Sequence, residues 1–212
     1  ARLISESARP VLYLGGGVSL ARAQDELAEF VAKTRIPVVT TLMARGVLPD
    51  SNELNMGMPG MHGTVAAVGA LQKADLLIAL GTRFDDRVTG KLDSFAVGAK
   101  IIHADIDPAE IGKNKAVDVP IVGDVKLTLQ QLTEAMDAYP APEADAWRRQ
   151  LGTMRARYQP RWEEDPDGRL SPQEVIQRIG QLSPPDSIYA AGVGQHQMWA
   201  AQFLPHEKPH RW

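Results

Sequence analysis

Pro10-Val11-Leu12-Tyr13-Leu14-Gly15-Gly16-Gly17 is five strand-forming residues running straight into three glycines. The same grammar returns three times. Leu76-Leu77-Ile78-Ala79-Leu80 exits into Gly81-Thr82-Arg83-Phe84-Asp85-Asp86-Arg87. A run near Lys100–Ala104 exits into Asp105-Ile106-Asp107-Pro108, and one at Pro120–Val122 into Gly123-Asp124. Short apolar runs bounded by turn residues fit strands buried on both faces of a parallel sheet. In such an open sheet all the exits lie on one edge, where ligands bind beyond the carboxyl ends of the strands. Four chemically rich exits on one edge predict a long ligand.

Helical patterns fill the gaps between the strands. Leu20, Ala23, Leu27, Phe30 and Val31 recur at helical spacing, with Ser19 as the expected cap. Pro37–Thr41 reads as another strand, and Thr64–Lys73 and Lys126–Ala138 read as helices. Residues 42–61, broken by Pro49, Asn52, Gly57, Pro59 and Gly60, predict a long irregular loop. Strands alternating with helices define an α/β fold: an open, mostly parallel Rossmann-like sheet with helices on both faces.

This first domain is expected to span residues 1–139, because Pro140-Ala141-Pro142-Glu143 is linker chemistry. Residues 140–168 then carry an amphipathic helix with Trp147, Leu151, Met154 and Tyr158 on one face. Its arginines, Arg148, Arg149, Arg155 and Arg157, read as a solvated face. Ser171-Pro172-Gln173-Glu174 opens a further helix with a cap and a first-turn proline. A strand at Ser187–Ala190, the corner Gly192-Val193-Gly194 and then Gln195-His196-Gln197-Met198-Trp199 follow. One strand with its flanking helices cannot bury a core, so residues 169–212 are expected to be an incomplete second α/β domain.

Composition narrows the function. Of 212 residues, 44% are hydrophobic and 23% charged, enough for a packed core. A net charge of −3 offers no electrostatic case for nucleic acid or an anionic membrane. The absence of cysteine excludes disulfides and thiolate metal sites and fits a cytoplasmic protein. No apolar run is long enough for a membrane span or a signal peptide.

Several stretches carry chemistry. Gly15-Gly16-Gly17 lets backbone approach a ligand, although Leu20 breaks the dinucleotide fingerprint, and a plain tight turn reads equally well. Met56-Gly57-Met58-Pro59-Gly60-Met61-His62-Gly63 places three thioethers among glycines beside one imidazole. Methionine packs well on flat rings; the alternative is a loop whose methionines plug the core. In Gly81–Arg87, Arg83 can stack on a ring or hold a diphosphate and Phe84 can wall it; an ion-pair cluster holding the loop is the alternative. His103, Asp105 and Asp107 alternate in a way that invites a metal. An acid on ribose hydroxyls at a strand end suits them better, and Asp107-Pro108-Ala109-Glu110 also fits a helix start. No nucleophile elbow, Walker loop or zinc-protease helix occurs.

Taken in order, Gly60-Met61-His62-Gly63, Arg83-Phe84-Asp85-Asp86-Arg87-Val88-Thr89-Gly90, His103-x-Asp105-Ile106-Asp107-Pro108-Ala109-Glu110-Ile111-Gly112-Lys113-Asn114 and Gly194-Gln195-His196-Gln197-Met198-Trp199-Ala200 closely resemble the catalytic large subunits of acetohydroxyacid (acetolactate) synthases. The resemblance runs over essentially the whole chain. It implies the central domain, the linker and the opening of the carboxyl-terminal domain of a longer three-domain enzyme.

That resemblance implies FAD along Gly15, Gly16, Gly17, Met61, His62, Gly63, Thr64, Gly81, Thr82, Arg83, Asp105, Ile106, Asp107, Gly123 and Asp124. It implies thiamine diphosphate beside Gln195, His196 and Gln197, and a substrate or inhibitor channel at Met61, Asp86 and Arg87. The implied substrates are 2-oxo acids, pyruvate and 2-oxobutanoate. A homodimer or tetramer, a regulatory small subunit, a bacterial cytoplasmic setting and a place in branched-chain amino acid biosynthesis are also implied. No catalytic or metal residue is expected within these residues: the family's catalytic glutamate and its Mg²⁺-holding segment lie in other parts of the enzyme. The alternatives are a different FAD-containing thiamine enzyme, of the glyoxylate carboligase or pyruvate oxidase type, and a stand-alone nucleotide-binding module.

Overall fold

The computed structural model describes residues 1–212. Helix α1 (Arg2–Ser5) precedes β1 (Pro10–Leu14), α2 (Gly16–Leu20), α3 (Gln24–Thr34) and β2 (Val38–Thr40). Then come α4 (Val65–Lys73), β3 (Leu76–Leu80), α5 (Asp86–Thr89), β4 (Lys100–Asp105), β5 (Val119–Val122) and α6 (Val125–Ala135). Helices α7 (Asp145–Arg157), α8 (Pro172–Leu182) and α9 (Gln195–Phe203) complete the chain.

The five strands form one sheet in the order β2-β1-β3-β4-β5, and every neighbouring pair is parallel. The register runs straight across: Val38 beside Leu12, Leu12 beside Ile78, Ile78 beside Ile102, Ile102 beside Val119. Alternation then sorts the side chains. Leu12, Leu14, Ile78, Leu80, Ile102 and Ala104 turn to one face and meet Leu27, Phe30 and Leu129 of α3 and α6. Val11, Tyr13, Leu77, Ala79 and Ile101 turn to the other and meet Ala67, Leu71, Trp147 and Leu151 of α4 and α7. The expected open parallel sheet, covered on both faces, is the observed one.

Departures from the expected elements have local causes. Ser19 does not cap the long helix: α2 ends at Leu20, and α3 starts five residues beyond Ser19. Residues 54–57 of the long loop lie along β2. The Val38 amide donates to the Leu54 carbonyl at 2.8 Å, the Met56 amide to Val38 at 2.8 Å and the Thr40 amide to Gly57 at 3.1 Å. The loop thereby covers the edge that β2 would otherwise expose. Asp107–Glu110 begins no helix, because Asp107 closes a turn on the Ala109 amide at 2.8 Å. Ser187–Ala190 is not a strand; no neighbouring strand pairs with it, and its one ladder-like contact is Tyr189 N–H to Arg211 C=O, 2.8 Å. The arginines of α7 are not simply solvated: Arg155 donates to the carbonyls of Asp50 (2.8 Å) and Asn52 (2.8 Å).

Candidate functional site

Parallel register puts the carboxyl end of every strand on one rim. Five strands about 4.8 Å apart give a rim of about 19 Å, which suits an extended ligand. The chain runs from β1 outward to β2 and returns to start β3 on the other side of β1, so the strand order reverses between β1 and β3. Doubly wound sheets bind ligands at that crevice.

Gly15-Gly16-Gly17 and Gly81-Thr82 face each other across it. The Gly15 amide donates to Leu80 C=O (3.0 Å) and the Gly17 amide to Gly81 C=O (2.9 Å). A methyl on Gly15 would overlap the Gly81 carbonyl and lie 2.5 Å from Thr82 Cα, and one on Gly17 would lie 2.6 Å from Gly81 Cα. The glycines are therefore required by the approach of the two corners. Two of the three amides are engaged within the chain.

The corner after β3 is held through its carbonyls. His103, fully buried on β4, donates from Nε2 to Thr82 C=O at 2.9 Å; Tyr13 O–H donates to Arg83 C=O at 3.3 Å; Asn114 Nδ2 donates to Phe84 C=O at 2.8 Å. A trans peptide points its N–H opposite to its C=O. Fixing these carbonyls inward thus turns the following amides outward, and those of Thr82, Arg83, Phe84 and Asp85 meet no acceptor in the chain. Burial pushes the Tyr13 phenol up to about 12, so it remains a donor throughout the neutral range. Phe84 does not wall the rim as expected; it is buried, edge-on to His103 at 5.3 Å and beside Tyr13 at 5.8 Å. Arg83 is exposed, 3.6 Å from Asp85.

The other exits complete the rim. Asp105 closes a turn on the Asp107 amide at 2.9 Å, Ile106 stands exposed between them, and Asp124 caps α6 by accepting from Leu127 N–H at 3.1 Å. His103, Asp105 and Asp107 do not converge, since His103 is turned into the core; no group of three or more His, Asp or Glu forms a metal cage. The methionine–glycine loop divides. Met56 and Met58 are core plugs, whereas Met61 is 76% exposed. Thr64 caps α4 on Ala67 N–H (3.1 Å) and donates to Met56 C=O (2.6 Å). Gly60, at φ +104°, lies against the Arg87 carbonyl, so the methionine–glycine loop meets the α5 segment that carries Asp86 and Arg87. One exit escaped the sequence reading: β2 also ends on the rim, and Met43 just beyond it is 66% exposed and adjoins Gly16. Its signal was the strand end itself, without glycine to mark it.

Gln195, His196 and Gln197 form the first turn of α9, with Gln195 and His196 exposed. They do not lie on the sheet rim. Helix α9 nevertheless reaches the methionine–glycine loop at its other end, where Gln202 Nε2 donates to His62 C=O at 2.8 Å.

Free amides, acids at two exits and the exposed side chains of Met43, Met61 and Ile106 are groups of the kind that FAD requires. The fold and rim define a doubly wound, all-parallel α/β domain. Residues 1–132 match the family described as thiamine pyrophosphate enzyme, central domain, and the chain belongs to that family. It is 58% identical over its whole length to an acetolactate synthase of Mycobacterium leprae, 59% to an acetolactate synthase large subunit of Corynebacterium glutamicum and 48% to a chloroplastic acetolactate synthase of Nicotiana tabacum. The chain covers 34%, 34% and 32% of those relatives, about a third of their length. No helix is long and apolar enough to cross a membrane.

Proposed function

We propose that this chain is the flavin-holding region, with the opening of the thiamine-binding region, of an acetolactate synthase catalytic subunit. The observation that carries the reading is the single rim of five parallel exits with free amides at Thr82–Asp85. Residues 1–139 would hold FAD, residues 140–168 would link, and residues 169–212 would begin the thiamine domain. The similar proteins named above are all acetolactate synthases, which leaves the carboligase and oxidase alternatives without support.

FAD would rest on Gly15–Gly17, Met61–Thr64, Gly81–Arg83, Asp105–Asp107 and Gly123-Asp124, with Met43 added from the structure. Met61, Asp86 and Arg87 would line the approach to the reaction. Thiamine diphosphate, when bound, supplies the carbanion stabilisation by which one pyruvate loses carbon dioxide and joins a second 2-oxo acid, pyruvate or 2-oxobutanoate. Mg²⁺ and the catalytic glutamate would come from other parts of the enzyme. A bacterial cytoplasmic setting, a homodimer or tetramer and a regulatory small subunit belong to the same reading.

The test is the full-length enzyme. Acetolactate formed from pyruvate, dependent on thiamine diphosphate and Mg²⁺ and lost when flavin is stripped, is the expected result. Full activity without flavin, or no carbon–carbon product, would overturn it. The 212-residue chain alone is expected to hold flavin weakly, because contacts from other domains and subunits are missing.

A further inference from the structure

Away from the rim, the long loop after β2 and the turn after α9 meet in a polar junction. Asp50 is its hub. Its Oδ2 accepts from Arg45 Nη2 at 2.7 Å and from the His206 amide at 3.0 Å, and its Oδ1 accepts from Asn55 Nδ2 at 3.3 Å. The Asp50 amide returns a bond to His206 C=O at 3.1 Å, and Arg155 of α7 holds the Asp50 carbonyl. The next residue repeats the pattern: Ser51 donates from N (3.0 Å) and Oγ (2.6 Å) to the two oxygens of Glu207. Gly46, at φ +82°, fits against the Lys208 carbonyl. Arg45 and His206 are buried, and Asp50 is half-buried.

Helix α9 has no sheet beneath it. It packs on α8. Beyond that helix, Gln202 to His62 C=O, Ser19 Oγ with His210 Nδ1 at 3.3 Å and this junction tie it and the segment after it to the rest of the chain. The Tyr189–Arg211 bond joins its two flanking segments. Apolar packing alone would let so short a helix slide. Directional bonds to a charged acceptor select one register, the best-attested use of buried charge. We propose that Asp50 is a positioning residue for Gln195–Gln197: by seating His206-Glu207 on Asp50-Ser51 it fixes the helix whose first turn faces thiamine diphosphate. This rests on the thiamine reading above, and it ties the loop from which the flavin-side residues Met61–Thr64 come to the helix that carries the thiamine-side residues.

The test uses the full-length enzyme with two variants. The double variant Arg45→Met with Asp50→Asn removes the charge pair without stranding a lone buried charge. Ser51→Ala keeps both charges and loosens only Glu207. For the double variant the apparent KM for thiamine diphosphate is expected to rise about tenfold, within the ordinary range of site coupling. Its kcat at saturating cofactor, flavin content and melting temperature should stay near wild type. Hydrogen exchange should quicken in residues 195–212 and not in the sheet. Ser51→Ala should move KM and exchange the same way by a smaller factor, and it carries the test if the double variant does not fold. A lower melting temperature with unchanged KM, or unchanged exchange in residues 195–212, would overturn the proposal. A wild-type enzyme indifferent to thiamine diphosphate would instead sink the reading it rests on, while the exchange comparison would still judge the junction.

Discussion

The corner after β3 and the turn after α9 are both held by side chains far away in sequence, but by opposite means. Bonds to backbone carbonyls pin the corner: His103, Tyr13 and Asn114 donate to three successive carbonyls. Charge pins the turn, through Arg45, Asp50 and Glu207. Bonds to backbone carbonyls inside a parallel sheet pair no opposite charges, so salt has little to screen there. A charged junction is specific but costs desolvation, and burial both lowers the Arg45 pKa and raises that of Asp50 against their mutual attraction.

The largest effect is expected at the rim. Gly15→Ala drives a methyl into the Gly81 carbonyl where two strand exits cross. Overpacking with backbone on both sides costs about 3 kcal/mol or more, so loss of cooperative folding in a denaturant melt is expected. Gly46→Ala, which meets the Lys208 carbonyl instead, should loosen residues 204–212 while the sheet still melts cooperatively. Equal damage from the two changes would erase the distinction.

Acid should attack the junction first. Burial holds His206 down to about 3, with Arg45 adding to the effect; Asp50 and Glu207 are the nearby acids. Between pH 6.5 and 3 the unfolded chain takes a proton that the folded chain refuses, so stability falls as pH falls. The slope is about 1.4 kcal/mol per pH unit, or about 2.7 kcal/mol by pH 4.5. Above pH 6.5 this group contributes nothing to the slope. Urea melts of wild type and His206→Asn at pH 7 and 4.5 check it: the variant should lose much of the acid sensitivity. An identical pH slope in both would show that other groups govern it.

The sheet was legible because its strands are short, apolar and closed by glycine or acid, as at Leu76–Leu80 before Gly81, and parallel register does the rest. The junction was not legible, since Arg45, Asp50 and His206 lie in stretches without periodicity and meet across 156 residues. Phe84 misled for a related reason. An aromatic at a strand exit reads as ligand wall, and only Tyr13, Phe95 and His103 around it reveal a core residue. Ser187–Ala190 carried strand composition, but composition does not provide a pairing partner.

A smaller effect tests the pins themselves. His103→Leu removes the donor to Thr82 C=O and leaves that carbonyl unsatisfied, a cost of about 1 kcal/mol or somewhat more. His103→Gln, which can still donate, should recover part of it. Flavin affinity of the full-length enzyme should follow the same order, because the Arg83 amide, which follows the Thr82 carbonyl, loses its fixed direction. If both variants keep wild-type flavin affinity, that amide is not what the flavin uses.

Arg83 separates the two readings of its charged corner at the smallest stability cost. Its partner Asp85 is 3.6 Å away, and the Arg83 side chain is 67% exposed, so water and salt already screen the pair. Exposed pairs of this kind contribute about 0.5 kcal/mol or less. The carbonyl pins remain in place when the guanidinium goes, so Arg83→Gln should leave the melting curve within that margin. If the corner's charge serves a bound ring or diphosphate, flavin affinity should drop clearly while stability does not, because a planar five-donor cation cannot be replaced by an amide at such a contact. If the charge only holds the loop, stability falls and flavin affinity follows it in proportion. A melt and a flavin titration on the same preparation decide which residue of Gly81–Arg87 faces the ligand and which faces the fold.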